Sequence, residues 1–172
     1  EDPRGVFTVR DGLIRISGDG YGYLSTDRAY RDYRLIVEFK WGSRNWGERI
    51  GKARDSGIFL HSRGPDGNSF DADGAYKAAI ECQIMEGAVG DFLLIKGRSG
   101  ENDVLEPRVA TRAAAERDAD NWPVFDPGGR RVTIEGFGRI NWKNKDPAWE
   151  DVAGFRGARD IPSPTGQWNR VE

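Results

Sequence analysis

The chain has little from which a disulfide or metal framework could be built: one cysteine and one histidine in 172 residues. A lone cysteine excludes an intramolecular disulfide, and with a single histidine it excludes a zinc site made of His and Cys. A surplus of positive charge is missing too. The 26 Lys and Arg stand against 28 Asp and Glu, a formal net charge of −2, whereas a nucleic-acid groove shows as a basic excess. No apolar run approaches the ~18 residues of a membrane span. Methionine occurs once. What the chain does have is glycine, 23 residues, and six tryptophans. With 37 % hydrophobic residues it is also not a disordered tail. One domain large enough for a core remains, and the Gly and Trp content points to an all-β, sugar-facing protein.

The ends carry their own expectation. Glu1-Asp2-Pro3-Arg4 is no signal peptide, and Gly166–Glu172 reads as a turn and the start of a strand. Residues 1–172 are therefore expected to be a single domain with segments missing at both ends.

Alternation supplies the strands. Asp11-Gly12 between Val6–Arg10 and Leu13–Ser17 signals a type I′ hairpin, pairing Arg10 with Leu13, Val9 with Ile14 and Phe7 with Ile16. Tyr21–Ser25 reads as a short strand. In Tyr33–Trp41 the residues Tyr33, Leu35, Val37, Phe39 and Trp41 fall on one face and Arg34, Ile36, Glu38 and Lys40 on the other. Gly57–Arg63 sets Ile58 and Leu60 against Phe59, His61 and Arg63. Ala79–Glu86 sets Ile80, Cys82 and Ile84 against Glu81 and Gln83. Phe92–Ile95 and Arg131–Glu135 complete the set. Only Val109–Asp118, with its run of alanines, favours helix, and Asn141–Pro164 reads as a long ordered loop. Short strands with Gly-rich turns predict an all-β sandwich or jelly roll.

If those strands share a sheet, Glu38, Lys40, His61, Arg63, Glu81 and Gln83 line one groove. A solvated outer face is the plainer reading, but the only histidine two residues from an arginine is unusual for one. Glu81-Cys-Gln-Ile-Met-Glu86 comes close to the E-x-D-x-x-E strand of laminarinase-type glycosidases. Strict alternation turns Glu86 inward, so it reaches the groove only through a bulge after Gln83. Cys82 points into the core by parity. Asp66, Asn68, Asp71 and Asp73 lie in a Gly-containing loop without EF-hand spacing, which reads as Asx turns before it reads as a calcium site. Trp122, Trp142, Trp149 and Trp168 suit core or loop anchoring before sugar stacking.

These segments, taken in order, resemble the 3-keto-disaccharide hydrolase domain family. Phe7-Thr-Val-Arg-Asp-Gly-Leu-Ile-Arg-Ile-Ser-Gly looks like its opening, and Tyr33-Arg-Leu-Ile-Val-Glu-Phe-Lys-Trp like its next strand. Asp55-Ser-Gly-Ile-Phe-Leu-His-Ser-Arg is similar to an "NSGIFLR"-like strand, with Asp55 where Asn is usual. Ile80–Gly87, Gly90–Ile95 and Gly166–Glu172 follow in the same order. The resemblance implies a concanavalin A-like jelly-roll β-sandwich of two antiparallel sheets with at most one or two short helices. It further implies a periplasmic or secreted bacterial enzyme acting on a carbohydrate, a 3-keto-glycoside. A ketone at carbon 3 acidifies the proton on carbon 2, so a base removes it, the aglycone leaves carbon 1, and water adds back. Positions matching the family strands assign His61 or Glu81 as base, Arg63 as enolate stabiliser and Glu86 as acid. Glu38, Lys40 and Gln83 would orient hydroxyls. Some members imply a divalent metal at the carboxylates and histidine, although the residues themselves establish no cofactor. The other readings are a non-catalytic glycan-binding module on the same fold and a retaining glycosidase. Neither a nucleic acid nor a membrane span is expected, and oligomeric state stays open.

Overall fold

The computed structural model describes residues 2–101, 103–142, 145–162 and 164–172. Thirteen short strands carry almost all of its regular structure among those residues, with single 3-10 turns at Gly47–Arg49 and Ala72–Gly74. The architecture is all-β, in antiparallel sheets of the β-sandwich kind.

The Asp11-Gly12 hairpin forms as its turn chemistry requires. β1 (Phe7–Arg10) pairs with β2 (Leu13–Ile16), with Phe7 opposite Ile16, Val9 opposite Ile14 and Arg10 opposite Leu13. Asp11 and Gly12 both take positive φ, the conformation a type I′ turn demands. β3 (Val37–Lys40) is shorter than the alternation of Tyr33–Trp41 predicts, and Tyr21–Ser25 forms no strand.

β4 (Asp55–Arg63), β5 (Ala78–Met85), β6 (Phe92–Ile95) and β12 (Gly138–Ile140) form the central sheet in the order β12-β6-β5-β4. One side is apolar: Ile58, Leu60, Ile80, Cys82, Ile84, Phe92, Leu94 and Ile140 share it by register. Ile84, Leu94 and Ile140 are buried, each worth roughly 1.5–3 kcal/mol of transfer free energy. Cys82 is buried there too, as its parity predicts. Trp142 ties this side to the neighbouring sheet, lying edge-on to Phe92 and stacked on Phe125 at 4.1 Å between ring centres.

β7 (Gly97–Arg98) and β8 (Val104–Leu105) make a small ribbon. β9 (Arg108–Arg117), β10 (Pro123–Phe125) and β11 (Arg130–Glu135) make a second sheet in the order β10-β9-β11. This overturns the helical reading of Val109–Asp118. Val109 pairs with Ile134 and Thr111 with Val132, so cross-strand packing outweighs the helix propensity of alanine. A side chain on Gly129 would strike the Ala113 carbonyl oxygen at 2.0 Å, so the backbones approach too closely there for bulk.

β13 (Trp168–Val171) pairs with β3. The stretch 141–164 contains no named strand among its described residues, while Lys143, Asn144 and Ser163 lie outside them. No helix among the described residues is long and apolar enough to cross a membrane.

Candidate functional site

The other side of the central sheet is polar in its middle. Register places Asp55, Gly57 and Phe59 of β4 opposite Met85, Gln83 and Glu81 of β5, and Leu93 of β6 opposite Glu81. Arg139 of β12 stands opposite Leu93. One row across the sheet therefore reads Phe59, Glu81, Leu93, Arg139. Glu81 does not stand upright in this row. Its Oε1 lies 1.8 Å from where a Cβ on Gly57 would be, so the carboxylate leans diagonally across β4 into space that only glycine leaves open. Asp55 lies two residues beyond Gly57 on the same face.

Both carboxylates are reached by solvent, Asp55 more than Glu81, yet protein crowds them. Burial, with the Asp55 charge adding to it, pushes the Glu81 carboxyl up to about 8, against a smaller pull from Arg139. Burial likewise pushes Asp55 up to about 6; Arg49 lowers it and Asp151 raises it further. Surrounding protein thus disfavours the charged form of both groups although solvent still touches them. Among the described residues neither makes an ion pair or a hydrogen bond to another side chain, and the Ser56 backbone N–H lowers Asp55 only slightly. Arg139, by contrast, is engaged. Its Nε donates at 2.9 Å to the fully buried Asp91, which also accepts the Trp142 N–H at 2.9 Å. Gln83 is 5 % exposed, and its Oε1 has no hydrogen-bond partner among the described residues.

The two ends of this face differ. At one, Phe59 meets Tyr76 edge-on at 5.7 Å and Tyr23 at 6.4 Å, and Tyr21 stands edge-on to Tyr76 at 6.2 Å. Burial there, with the charges of Glu81 and Asp55 behind it, pushes the Tyr76 phenol up to about 12. At the other end the loop after β12 closes down. Trp149 packs on Met85, Ala53 and Ala88, and Asp151 receives Arg49 at 2.8 Å and the Ala53 N–H at 3.1 Å. Glu86 is the staple of that end. It is 6 % exposed, bonds Arg54 at 2.5 Å, and accepts the backbone N–H groups of Arg54 at 2.8 Å and Gly154 at 3.1 Å. A cavity of about 180 Å³ opens beside it, walled by Trp41, Phe155 and Arg156. That cavity is not at Glu81.

The structure brings Glu81 and Gln83 onto one face and not the other sequence candidates. The β4–β5 ladder runs without a bulge from Leu60/Ile80 to Asp55/Met85, so nothing rotates Glu86 into the groove. A bulge does occur on β4. Leu60 pairs with Ile80 and Arg63 with Ala78, leaving His61 and Ser62 opposite Ala79, and His61 takes a φ of +53°. Arg63 is thereby moved to the parity of Ile80, away from Glu81. His61 is exposed, its ring 6.2 Å from Tyr33. Glu38 and Lys40 lie on β3, which is hydrogen-bonded to β13 and not to the central sheet; Lys40 sits 4.9 Å from the Trp168 ring centre. Asp55, Gly57 and Arg139 are the residues that sequence reasoning missed. Asp55 and Gly57 sat inside a recognised strand, but only the diagonal lean of Glu81 gives them a part.

Among the described residues no three His, Cys, Asp or Glu side chains gather to hold a metal ion, so the divalent ion some relatives imply finds no ready set of ligands here. In the 66–74 loop, Asn68 is occupied as a structural tie, donating to the Arg63 and Arg98 carbonyls and accepting the Ala78 N–H.

A sequence profile of the 3-keto-alpha-glucoside-1,2-lyase-like domain matches residues 1–172. The chain belongs to this family. Membership in the 3-keto-alpha-glucoside-1,2-lyase-like family supports a carbohydrate-active function and a sugar substrate. No curated protein and no solved structure matches the chain.

Proposed function

We propose that the chain cleaves 3-keto-glycosides by elimination across carbons 1 and 2 followed by hydration, with Glu81 as its central proton-transfer group. The observation that carries this reading is the state of Glu81: solvent-accessible, desolvated, without a cation partner, and lying over a glycine. A carboxyl pushed up to about 8 exchanges protons near neutral pH, the property a general acid or base requires. His61, the other expected base, is exposed and sits in the β4 bulge with its ring against Tyr33. Arg139, on the Glu81 row but held by Asp91, would contribute a positive field, not a free hydrogen-bond fork, to the charge that develops on the ketone oxygen when carbon 2 loses its proton. Gln83 keeps an unpartnered but buried acceptor beneath this face, out of direct reach of a sugar hydroxyl.

Retaining hydrolysis through Glu81 and Glu86 would need both carboxyls on one face about 5–5.5 Å apart. The buried Arg54 pair of Glu86 speaks against it. The test is release of aglycone from a 3-keto-glucoside alongside the unoxidised glucoside. Cleavage of the keto-sugar alone is expected. Binding without turnover across a range of 3-keto-glycosides would leave a lectin-like module instead.

A further inference from the structure

We infer that Asp55 is the second carboxylate of this site and forms with Glu81, across the open position at Gly57, a pair that shares the proton transfers of the reaction. The inference rests on the reaction proposed above only for what the pair does, not for its existence. Four observations carry it. Asp55 and Glu81 lie on the same face of adjacent strands. The Glu81 carboxylate overhangs position 57, one side-chain step of about 6.6–6.8 Å from position 55, which leaves room for a ligand atom or water between the carboxyls. Neither makes an ion pair among the described residues. Nearby cations are already engaged: Arg139 by Asp91, Arg49 by Asp151.

Groups facing the pair from surrounding elements act in both directions. Arg139 from β12 and Arg49 from the 3-10 turn favour the ionised forms, while Asp151 from the loop opposes ionisation of Asp55. Tyr76, just before β5, stays a neutral phenol beside them. Asp91 is neutralised by its arginine. Burial raises both carboxyls and the Asp55 charge raises Glu81 further, so the two titrate as one coupled system.

A singly protonated pair balances the proposed chemistry. The ionised member takes the proton from carbon 2, and its bonding electrons pass to the ketone oxygen as an enolate. The enolate re-forms the ketone with a new C1–C2 double bond as the C1–O bond breaks, and the leaving oxygen takes the proton of the other member. Hydration runs this backwards. Water adds to carbon 1 and gives its proton to the member just deprotonated, while the first member returns its proton to carbon 2. The pair ends as it began.

The test is carboxyl ¹³C NMR titration of the wild type and of Asp55→Asn, together with pH–rate profiles on a 3-keto-glucoside. In the wild type each of the two carboxyl signals is expected to show both steps, a result that needs no variant to fold. In Asp55→Asn, Glu81 is expected to show one step, lowered by about 1 unit or more, and turnover to fall at least 10²-fold. A single-step Glu81 titration that Asp55→Asn leaves in place overturns the pair. Coupled titration without cleavage of any 3-keto-glycoside supports the pair and overturns the reaction. Cleavage that Asp55→Asn leaves undiminished overturns the catalytic part given to Asp55, whatever its titration.

Discussion

Two glutamates five residues apart on and just beyond one strand have opposite surroundings. Glu86, at the end of β5, is buried, fully partnered by Arg54 and two backbone N–H groups, and holds a loop against the sheet. Glu81, in the middle, has no counter-charge of its own and sits where water reaches it but protein crowds it. A satisfied charge in the interior serves the structure. A carboxyl without a counter-charge on a crowded face costs folding free energy once it ionises, and such a cost persists where chemistry needs it.

The difference between the two can be broken by exchange of function for stability. Glu81→Gln should lower turnover of a 3-keto-glucoside by 10²–10⁴-fold with the fold intact, as read by steady-state kinetics beside circular dichroism. Glu86→Ala should do the reverse. It leaves Arg54 buried and unpaired, a loss of about 3–5 kcal/mol in urea unfolding. Loss of activity from Glu86→Ala in protein of unchanged stability would erase the contrast.

Gly57→Ala sharpens the same point from the neighbouring strand. The new methyl group overlaps Oε1, Cδ and Cγ of Glu81 at 1.8–2.7 Å, so the whole side chain must swing out to another rotamer, at a cost of about 1–3 kcal/mol. Turnover should also fall at least tenfold, because the carboxylate no longer overhangs β4. Wild-type kinetics in this variant would mean that the lean of Glu81 is idle.

The smallest effect is thermodynamic. Carboxyls raised in the folded state bind protons more tightly there than in the unfolded chain. Their contribution is therefore greatest below the unfolded values near 4 and is lost as pH rises through about 6 and about 8. Stability should decline over that window, and Glu81→Gln should be the more stable protein at pH 8.5, by on the order of 1–2 kcal/mol given that solvent still screens the group. A thermal midpoint that rises with pH across the window would contradict this.

How far the sequence led depends on whether a signal was local. The β1–β2 register followed from Asp11-Gly12, and the division of β5 into Ile80, Cys82, Ile84 against Glu81, Gln83 followed from period-two alternation. β9 was misread because alanine speaks for helix locally, while its partners Val132 and Ile134 lie more than twenty residues away. Arg63 was misplaced by one unpaired residue, since a bulge with His61 at positive φ leaves no mark in the sequence that alternation can detect. The site was half legible. Glu81 and Gln83 stood out by residue type, but Arg139 reaches their face only through β12 pairing with β6.

The loop that Glu86 and Asp151 pin down has a consequence for how such a protein can change over generations. Its moorings at Asp151 and Gly154 are fixed to Arg49, Ala53 and Glu86, while Phe155, Arg156 and Pro162 beyond them line open space. Insertions past the second mooring would reshape that cavity without disturbing the strand that bears Glu81.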